Sequence, residues 1–432
     1  MNIKYIYLKS PRLLKFLIIN IYSYYLKIIR YNKSFYSNLK VYNNTDYLDK
    51  HCFEIDLFNN QIKDNQHYKV KSNLLDYKIS NKKYIKENYD SIINKKYIYQ
   101  YLFTSGTTGS GLKFPVSKEF INHQWAIFWN FRNRHNIKLN TWCAYFMGQP
   151  VLDLKLSKSP YWFKSYPLKQ IIFSQYHINK DTVDLYLKKI SDSKLKWIHG
   201  YPSTLNYLVN LARKKEINGL SENIEVITCS SEKLFDYQRN NIENFFNCKI
   251  RDLYGLTEGV VNISECEAGI YHIDENYSYV ELIKIEDTDE YKIIGTSYYN
   301  KAFPLVRYDT GDTCTLYDSD FKCICGRKSR VVKEIIGRDE DYLILRSGLK
   351  IGRLDHLFKN IFDVIESQIF QEKSGYAEFR IVKDTNYSSS TEKKLINEIK
   401  EKLGDDFKYD IIYYDRIPRT PNGKIKFVIN NI

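Results

Sequence analysis

Glycines, hydroxyls and one lysine crowd into a single stretch, Thr104-Ser105-Gly106-Thr107-Thr108-Gly109-Ser110-Gly111-Leu112-Lys113, directly after the apolar run Tyr101-Leu102-Phe103. Such a loop can wrap backbone N–H groups and hydroxyls around phosphate oxygens, with Lys113 adding a positive charge. It lacks the Gly-Lys-Ser/Thr ending of a Walker A loop and the Gly-x-Gly-x-x-Gly spacing of a dinucleotide fingerprint. Read alone, it is equally an ordinary solvated turn.

Four further constellations follow it along the chain. Tyr254-Gly255-Leu256-Thr257-Glu258-Gly259 comes after a predicted buried strand, at the carboxyl end where open α/β sheets bind ligands. Thr257 offers a hydroxyl to a phosphate, and Glu258 a hard oxygen ligand to Mg²⁺. Asp312, after the turn Tyr308-Asp309-Thr310-Gly311, is placed to accept hydrogen bonds from two ribose hydroxyls. Gly337-Arg338-Asp339-Glu340-Asp341 reads as an exposed hinge between domains. Finally, a tight turn in Arg419-Thr420-Pro421-Asn422-Gly423-Lys424 presents Lys424, which could hold a carboxylate and an α-phosphate together. Taken singly, each also has a plain structural reading: a capping threonine, an aspartate in a turn, a linker, a solvated lysine.

Cys266 and His272 are spaced C-x5-H, and Cys323 and Cys325 are spaced C-x-C. Three thiolates and one imidazole make a closed tetrahedral set for structural Zn²⁺. The other reading is four buried, unliganded side chains. Cys52, Cys143, Cys229, Cys248 and Cys314 need no role beyond packing.

The elements that position these residues are legible as patterns. Residues 1–97 are mostly helical, with Asn/Asp/Lys-rich connectors. From residue 98 to 338 short apolar runs alternate with helical stretches, which predicts a largely parallel sheet. Within that span, the Tyr/Val/Ile-rich alternation over 270–320 predicts antiparallel strands. Residues 339–432 form a small C-terminal α+β domain with a helix near 391–403 and a final strand, and 383–393 is expected to be a solvated loop. The fold class is therefore α/β: a large N-terminal domain of mostly parallel strands plus an antiparallel section, joined by a hinge to the small domain. Phe120, Trp125, Phe128, Trp129 and Phe131 line a predicted helix over 118–136; of these Phe120, Trp125 and Trp129, with Tyr145, Phe146, Tyr161, Trp162 and Phe163, could line an acyl pocket or form core.

With 432 residues, 43% hydrophobic and 27% charged, the chain can bury two or three globular domains. The formal net charge is +14, but lysine is spread along the whole chain together with heavy Asn, Ile and Tyr usage, so no nucleic-acid partner is expected. Eight cysteines in a chain of this length exclude a secreted disulfide scaffold. With no evident signal peptide, a cytoplasmic protein is expected. The run Phe16–Leu26 is too short to span a bilayer. It reads as a helix packed on the main body, with a basic interfacial helix in peripheral contact with a membrane as the other reading.

Taken together and in this order, the motifs resemble the acyl-adenylate-forming superfamily of acyl-CoA synthetases, peptide-synthetase adenylation domains and luciferases, over residues 98–427. The chain looks closest to the branch containing phenylacetate–CoA ligase and the capsule-locus proteins called CapK. It shares His199-Gly200-Tyr201-Pro202-Ser203 and Cys323-Ile324-Cys325-Gly326-Arg327 with that branch, and similar Cys/His positions that favour zinc. Ser230-Ser231-Glu232 stands where the branch usually has Ser-Gly-Glu.

The resemblance implies an ATP-dependent carboxylate ligase. The loop 104–113 would hold the β- and γ-phosphates, and Tyr254 and Gly255 would lie against adenine with Ser231 and Glu232 near its edge. Thr257 would contact the α-phosphate, Glu258 would hold Mg²⁺, and Asp312 would bind the ribose with help from Arg338. Lys424 would stabilise the adenylation transition state. The small domain would then rotate about Glu340, where aspartate or lysine is usual, so that the loop Ser347–Lys350 faces coenzyme A. The partners implied are a small-molecule carboxylic acid and either coenzyme A or an amine of a surface polysaccharide precursor. A catalytically inactive nucleotide-binding scaffold is a third reading.

Overall fold

The computed structural model describes residues 7–44, 62, 65, 67–69, 71, 73–103, 113–146, 151–153, 158–217, 223–338, 342–352, 354–358, 361, 363–404, 407–420 and 423–432. The chain divides into two compact units. One comprises residues 1–21, 141–250 and 339–432, the other 22–140 and 251–338.

In the first unit five strands lie in the order Trp162–Ser165, Gln170–Phe173, Cys143–Phe146, Trp197–Gly200, Val226–Ser230. All neighbours are parallel except the edge pair Trp162–Ser165 and Gln170–Phe173. Helices Val183–Asp192, Pro202–Lys214 and Asp236–Phe246 connect them, so the expected strand–helix alternation and parallel sheet are present. The strand Trp197–Gly200 is buried at every position, as a strand covered on both faces must be. Pro202 opens its helix at a position where the missing N–H costs nothing. Phe146, Phe173, Tyr161, Phe163 and Tyr186 pack together here, with the rings of Phe146 and Phe173 stacked at 4.6 Å, so these aromatics are core.

The C-terminal segment has a hydrophobic core of its own, built from Leu343, Leu357, Ile369, Phe379, Leu395, Ile399 and Val428. Its four strands run in the order Lys408–Tyr413, Tyr376–Lys383, Val364–Lys373, Val428–Asn430, with the helix Ser389–Leu403 inserted between the second and the first. The serine-rich run expected to be loop is instead the start of that helix. Ser388 Oγ accepts from Thr391 N and Thr391 Oγ1 from Ser388 N, each at 3.3 Å. A capping box of this kind satisfies two orphan donors and starts the helix where composition alone suggests solvent.

In the second unit the strands Ile250–Gly255, Asn262–Glu265, Tyr271–Ile273 and Val331–Val332 pair antiparallel in that order. A further antiparallel sheet, Ser278–Lys284, Glu290–Ser297, Tyr308–Thr315 and Glu334–Arg338, matches the alternation read in the sequence. The aromatic helix runs over Lys118–Arg134. Ser117 caps it, its Oγ accepting from Phe120 N at 3.2 Å and donating to Tyr299 O at 2.9 Å. Phe120, Trp129 and Phe131 are buried, which makes this helix face core.

His123, on the same helix, stacks on Tyr299 with ring centroids 3.4 Å apart and pairs with Tyr42 Oη at 2.9 Å. Burial pushes its imidazole down to about 3, and burial likewise holds His135 at about 4. The folded state therefore disfavours the protonated rings. Their stabilisation is complete above the unfolded histidine value of about 6.5 and is lost as pH falls from there toward the folded values. His123 alone is expected to cost about 1 kcal/mol at a pH one unit below 6.5. Thermal melts between pH 7.5 and 5.5 should show a falling midpoint, with a shallower slope in His123→Phe; equal slopes would assign the acid sensitivity elsewhere.

Candidate functional site

The predicted nucleotide residues of the second unit gather around the end of the strand Ile250–Gly255. Tyr254 Oη donates to Asp312 Oδ2 at 2.6 Å. The two lie far apart in sequence, and Asp312 is buried on the strand Tyr308–Thr315. Burial, reinforced by the Asp312 charge, raises the Tyr254 phenol well above its ordinary value, so it stays a proton donor. Asp312 is the register partner of Arg338, so the two residues assigned to the ribose lie side by side on adjacent strands. Gly311, at φ +73°, allows the turn before Asp312, whose N–H donates to Thr310 Oγ1 at 3.1 Å.

Thr257 and Glu258 follow the strand in a half-buried turn that closes through Gly259 N to Leu256 O at 3.1 Å. Gly259 has φ +66°, and a Cβ there would lie 2.0 Å from the Phe120 ring, so only glycine fits. This places the Glu258 carboxylate on a fixed turn at the strand's carboxyl end. Residues 104–112 of the glycine loop, including Thr104, Ser105, Gly106, Thr107, Thr108 and Gly109, lie outside the described residues, as does Glu340. Phe103 and Lys113, which flank the loop, are register partners of an antiparallel pair. The Lys113 ammonium sits 3.8 Å from the centre of the Tyr101 ring.

The remaining predicted residues belong to the first unit. Glu232 accepts from Ser203 N at 3.2 Å, at the start of the helix Pro202–Lys214, and from Ile425 N at 2.9 Å. It therefore ties the Lys424 turn to the sheet's helix. Within that turn Gly423 N donates to Thr420 O at 2.7 Å and Lys424 N to Thr420 Oγ1 at 3.1 Å. The Lys424 ammonium lies 5.7 Å from the centre of the Tyr201 ring. Two residues that the sequence reading left out complete the dock. Arg419 donates to Ser203 Oγ at 2.8 Å and pairs with the buried Glu366, which also accepts from Ile417 N at 2.9 Å. The Arg-Thr-Pro-Asn-Gly-Lys wording holds Arg419 in plain view, but nothing local marks it as a buried partner. The loop Ser347–Lys350 closes a hairpin, with Gly348 at φ +83° and Leu345 N donating to Leu349 O at 2.9 Å.

Ser231 adopts φ +72°. This explains the glycine usual at that position in the branch the sequence resembles, because a Cβ is disfavoured in the left-handed region.

Cys266, His272, Cys323 and Cys325 converge, their ligand atoms all within 4.8 Å of one another. Cys266 Sγ lies 3.7 Å from Cys323 Sγ, and Cys325 Sγ 3.3 Å from His272 Nε2. Sulfurs bound tetrahedrally at ~2.3 Å would be separated by about 3.8 Å, so the set has the dimensions of a zinc cage. His272 Nδ1 pairs with Ser329 Oγ at 3.2 Å, which orients Nε2 toward the thiols. Arg327, next to the Cys-x-Cys pair, bonds Asp274 Oδ1 at 3.0 Å and so anchors that loop.

Replacing Ser231 with glycine should remove the backbone strain and raise stability by about 0.5–1 kcal/mol. A thermal midpoint for Ser231→Gly at or below that of the parent would contradict the strain argument.

Comparison with known proteins bears on the fold. The family described as CapK C-terminal domain matches residues 343–431. Protein CapK of Staphylococcus aureus is 27% identical over 452 aligned positions, covering 100% of both chains. Phenylacetate-coenzyme A ligase of Thermus thermophilus is 24% identical over 277 positions, spanning 56% of this chain and 61% of that enzyme. Among solved structures, 2-hydroxyisobutyryl-CoA ligase in the postadenylation state superposes with a TM-score of 0.61 at 15% identity, covering 87% of this chain and 85% of its own. An anthranilate CoA ligase in complex with anthranoyl-AMP superposes with a TM-score of 0.52 at 14% identity, covering 76% of this chain and 66% of its own. The expected α/β fold is thus the fold of adenylate-forming ligases. The chain is a full-length homologue of a CapK protein, with a CapK C-terminal domain, a partial match to a phenylacetate-coenzyme A ligase and the fold of adenylate-forming ligases.

Proposed function

We propose that this chain is an ATP-dependent carboxylate ligase that makes an acyl-adenylate and then an acyl-CoA thioester. The observation that carries the reading is the Tyr254–Asp312 hydrogen bond at 2.6 Å. It joins the two side chains that would define a nucleoside subsite at the end of a sheet strand.

In the first half-reaction a substrate carboxylate oxygen attacks the α-phosphorus of ATP, and pyrophosphate leaves. In the second, the thiol of coenzyme A attacks the acyl carbon, loses its proton, and AMP leaves. Two anions must approach one another in the first step, so the protein's work is electrostatic and positional. Asp312 would accept from the ribose hydroxyls. Thr257 would donate to the α-phosphate, and Lys424 would neutralise charge there. Glu258, a hard oxygen donor on a fixed turn, fits Mg²⁺, which supplies charge neutralisation of the phosphates when bound.

The similarity to phenylacetate-coenzyme A ligase supports coenzyme A as acceptor. The full-length similarity to a protein named CapK supports a second reading, in which the acyl group passes to an amine during surface-polysaccharide biosynthesis. Both keep the same adenylation step.

ATP–pyrophosphate exchange across aryl, fatty and sugar-derived carboxylates tests this. We expect acid-dependent exchange that falls by roughly 100-fold or more in Lys424→Ala, the size of a lost transition-state charge contact. The same variant should still form thioester from supplied acyl-AMP. ATP binding without exchange on any acid would instead favour a nucleotide-binding scaffold. Thioester formation against amide formation with candidate amines separates the two acceptors.

Zinc at Cys266, His272, Cys323 and Cys325 belongs to the same proposal, as a closed structural site. Purified protein should contain stoichiometric zinc by elemental analysis. Cys323→Ser should lose the metal and lower the thermal midpoint by roughly 5–10 °C, equivalent to ~2–3 kcal/mol. Metal-free protein with an unchanged midpoint would remove the site.

A further inference from the structure

The helix Arg12–Arg30 inverts the usual arrangement of a surface helix. Such a helix ordinarily turns its apolar stripe to the core and its polar face to water. Here Lys15 and Ser23 are turned inward with Ile19, and Asn20 donates inward to Phe16 O at 3.0 Å and Lys164 O at 2.9 Å. Outward lie Leu13, Leu17, Ile21, Tyr24 and Ile28, spaced three and four residues apart and therefore on one stripe. Leu13 is 72% exposed and Ile21 70%, so among the described residues little packs on that side. Scattered exposed apolar residues need no explanation, but a contiguous stripe along a whole helix marks an interaction surface.

The charge around this stripe limits what can cover it. No acidic residue precedes Asp46. Lys27 is exposed near one end of the stripe, and Lys33 and Lys40 are exposed on the next helix, Lys33–Asn44, whereas Arg12 is turned to the body and donates to Pro160 O and Trp162 O. A second copy packed through the same face would bring these like charges together, because a two-fold interface is self-complementary. No helix among the described residues is long and apolar enough to cross a membrane. An apolar stripe flanked by lysines, with tyrosines among the outward residues, has the chemistry of a helix lying flat in the interface of an anionic bilayer.

We propose that the outward face of Arg12–Arg30 docks this protein on an anionic lipid surface. Leu13, Leu17, Ile21 and Ile28 enter the acyl boundary, while Lys27 and Lys33 meet the lipid phosphates. The proposal does not depend on the ligase reading.

The test is sedimentation of the full chain with vesicles of phosphatidylcholine alone and of phosphatidylcholine mixed with phosphatidylglycerol. We expect partition into the anionic vesicles, weakened by salt. Leu17→Glu/Ile21→Glu should reduce it by about tenfold or more, since it places two charges in the apolar stripe. Circular dichroism and the thermal midpoint report whether the variant folds; if it does not, Ile28→Ser takes its place with the same readout. Absence of binding by folded parent protein, or equal binding by the folded variant, overturns the proposal. So does a dimer of the parent that the glutamates dissolve while no vesicle is bound, which would assign the face to a second copy.

Discussion

The buried carboxylate of Asp274 ties together segments of the second unit that are distant in sequence. Its side chain is 2% exposed, and it accepts from Asn262 Nδ2 at 2.6 Å, Ser264 Oγ at 3.0 Å and Arg327 at 3.0 Å. Left unpaired, a buried carboxylate costs several kcal/mol, so each donor must stay where it is. Asn262 and Ser264 lie on the strand beside Ile250–Gly255, which carries Tyr254. Arg327 holds the loop that brings Cys323 and Cys325 to Cys266 and His272. The strand beside Tyr254, a residue proposed to bind nucleotide, and the loop of the candidate metal ligands are thus tied by one set of buried hydrogen bonds.

The first unit repeats the principle. Glu232 joins the C-terminal segment to the helix Pro202–Lys214, and Glu366 acts within that segment, accepting from Ile417 N. Glu366 is buried with Arg419, which also reaches Ser203. The turn that carries Lys424, the residue proposed for adenylation, is fixed by a backbone bond to Glu232 and by bonds within itself.

Two local rules are broken, with different physical standing. Ser231 holds a left-handed conformation that glycine would adopt at less cost. The helix Arg12–Arg30 carries apolar residues outward, while on its inner side Asn20 finds a carbonyl partner and Lys15 lies in the field of Asp153.

Strand–helix alternation over 141–250, the antiparallel section and the aromatic core of Lys118–Arg134 were all legible in the chain, because periodicity and burial are local properties of side-chain order. Motif residues were legible for the same reason: hydroxyls, a carboxylate or a lysine on a turn announce their chemistry by type and spacing. The start of the helix at Ser389 was misread, since a capping box looks like a polar loop until its two reciprocal bonds form. Tertiary structure alone decided that Tyr254 meets Asp312, that four Cys/His side chains converge, and that Arg419 is buried against Glu366. It alone decided which face of Arg12–Arg30 turns outward. Each of these depends on contacts between residues distant in sequence, set by the packing and polar satisfaction of a whole unit. Local sequence carries no term for that energy.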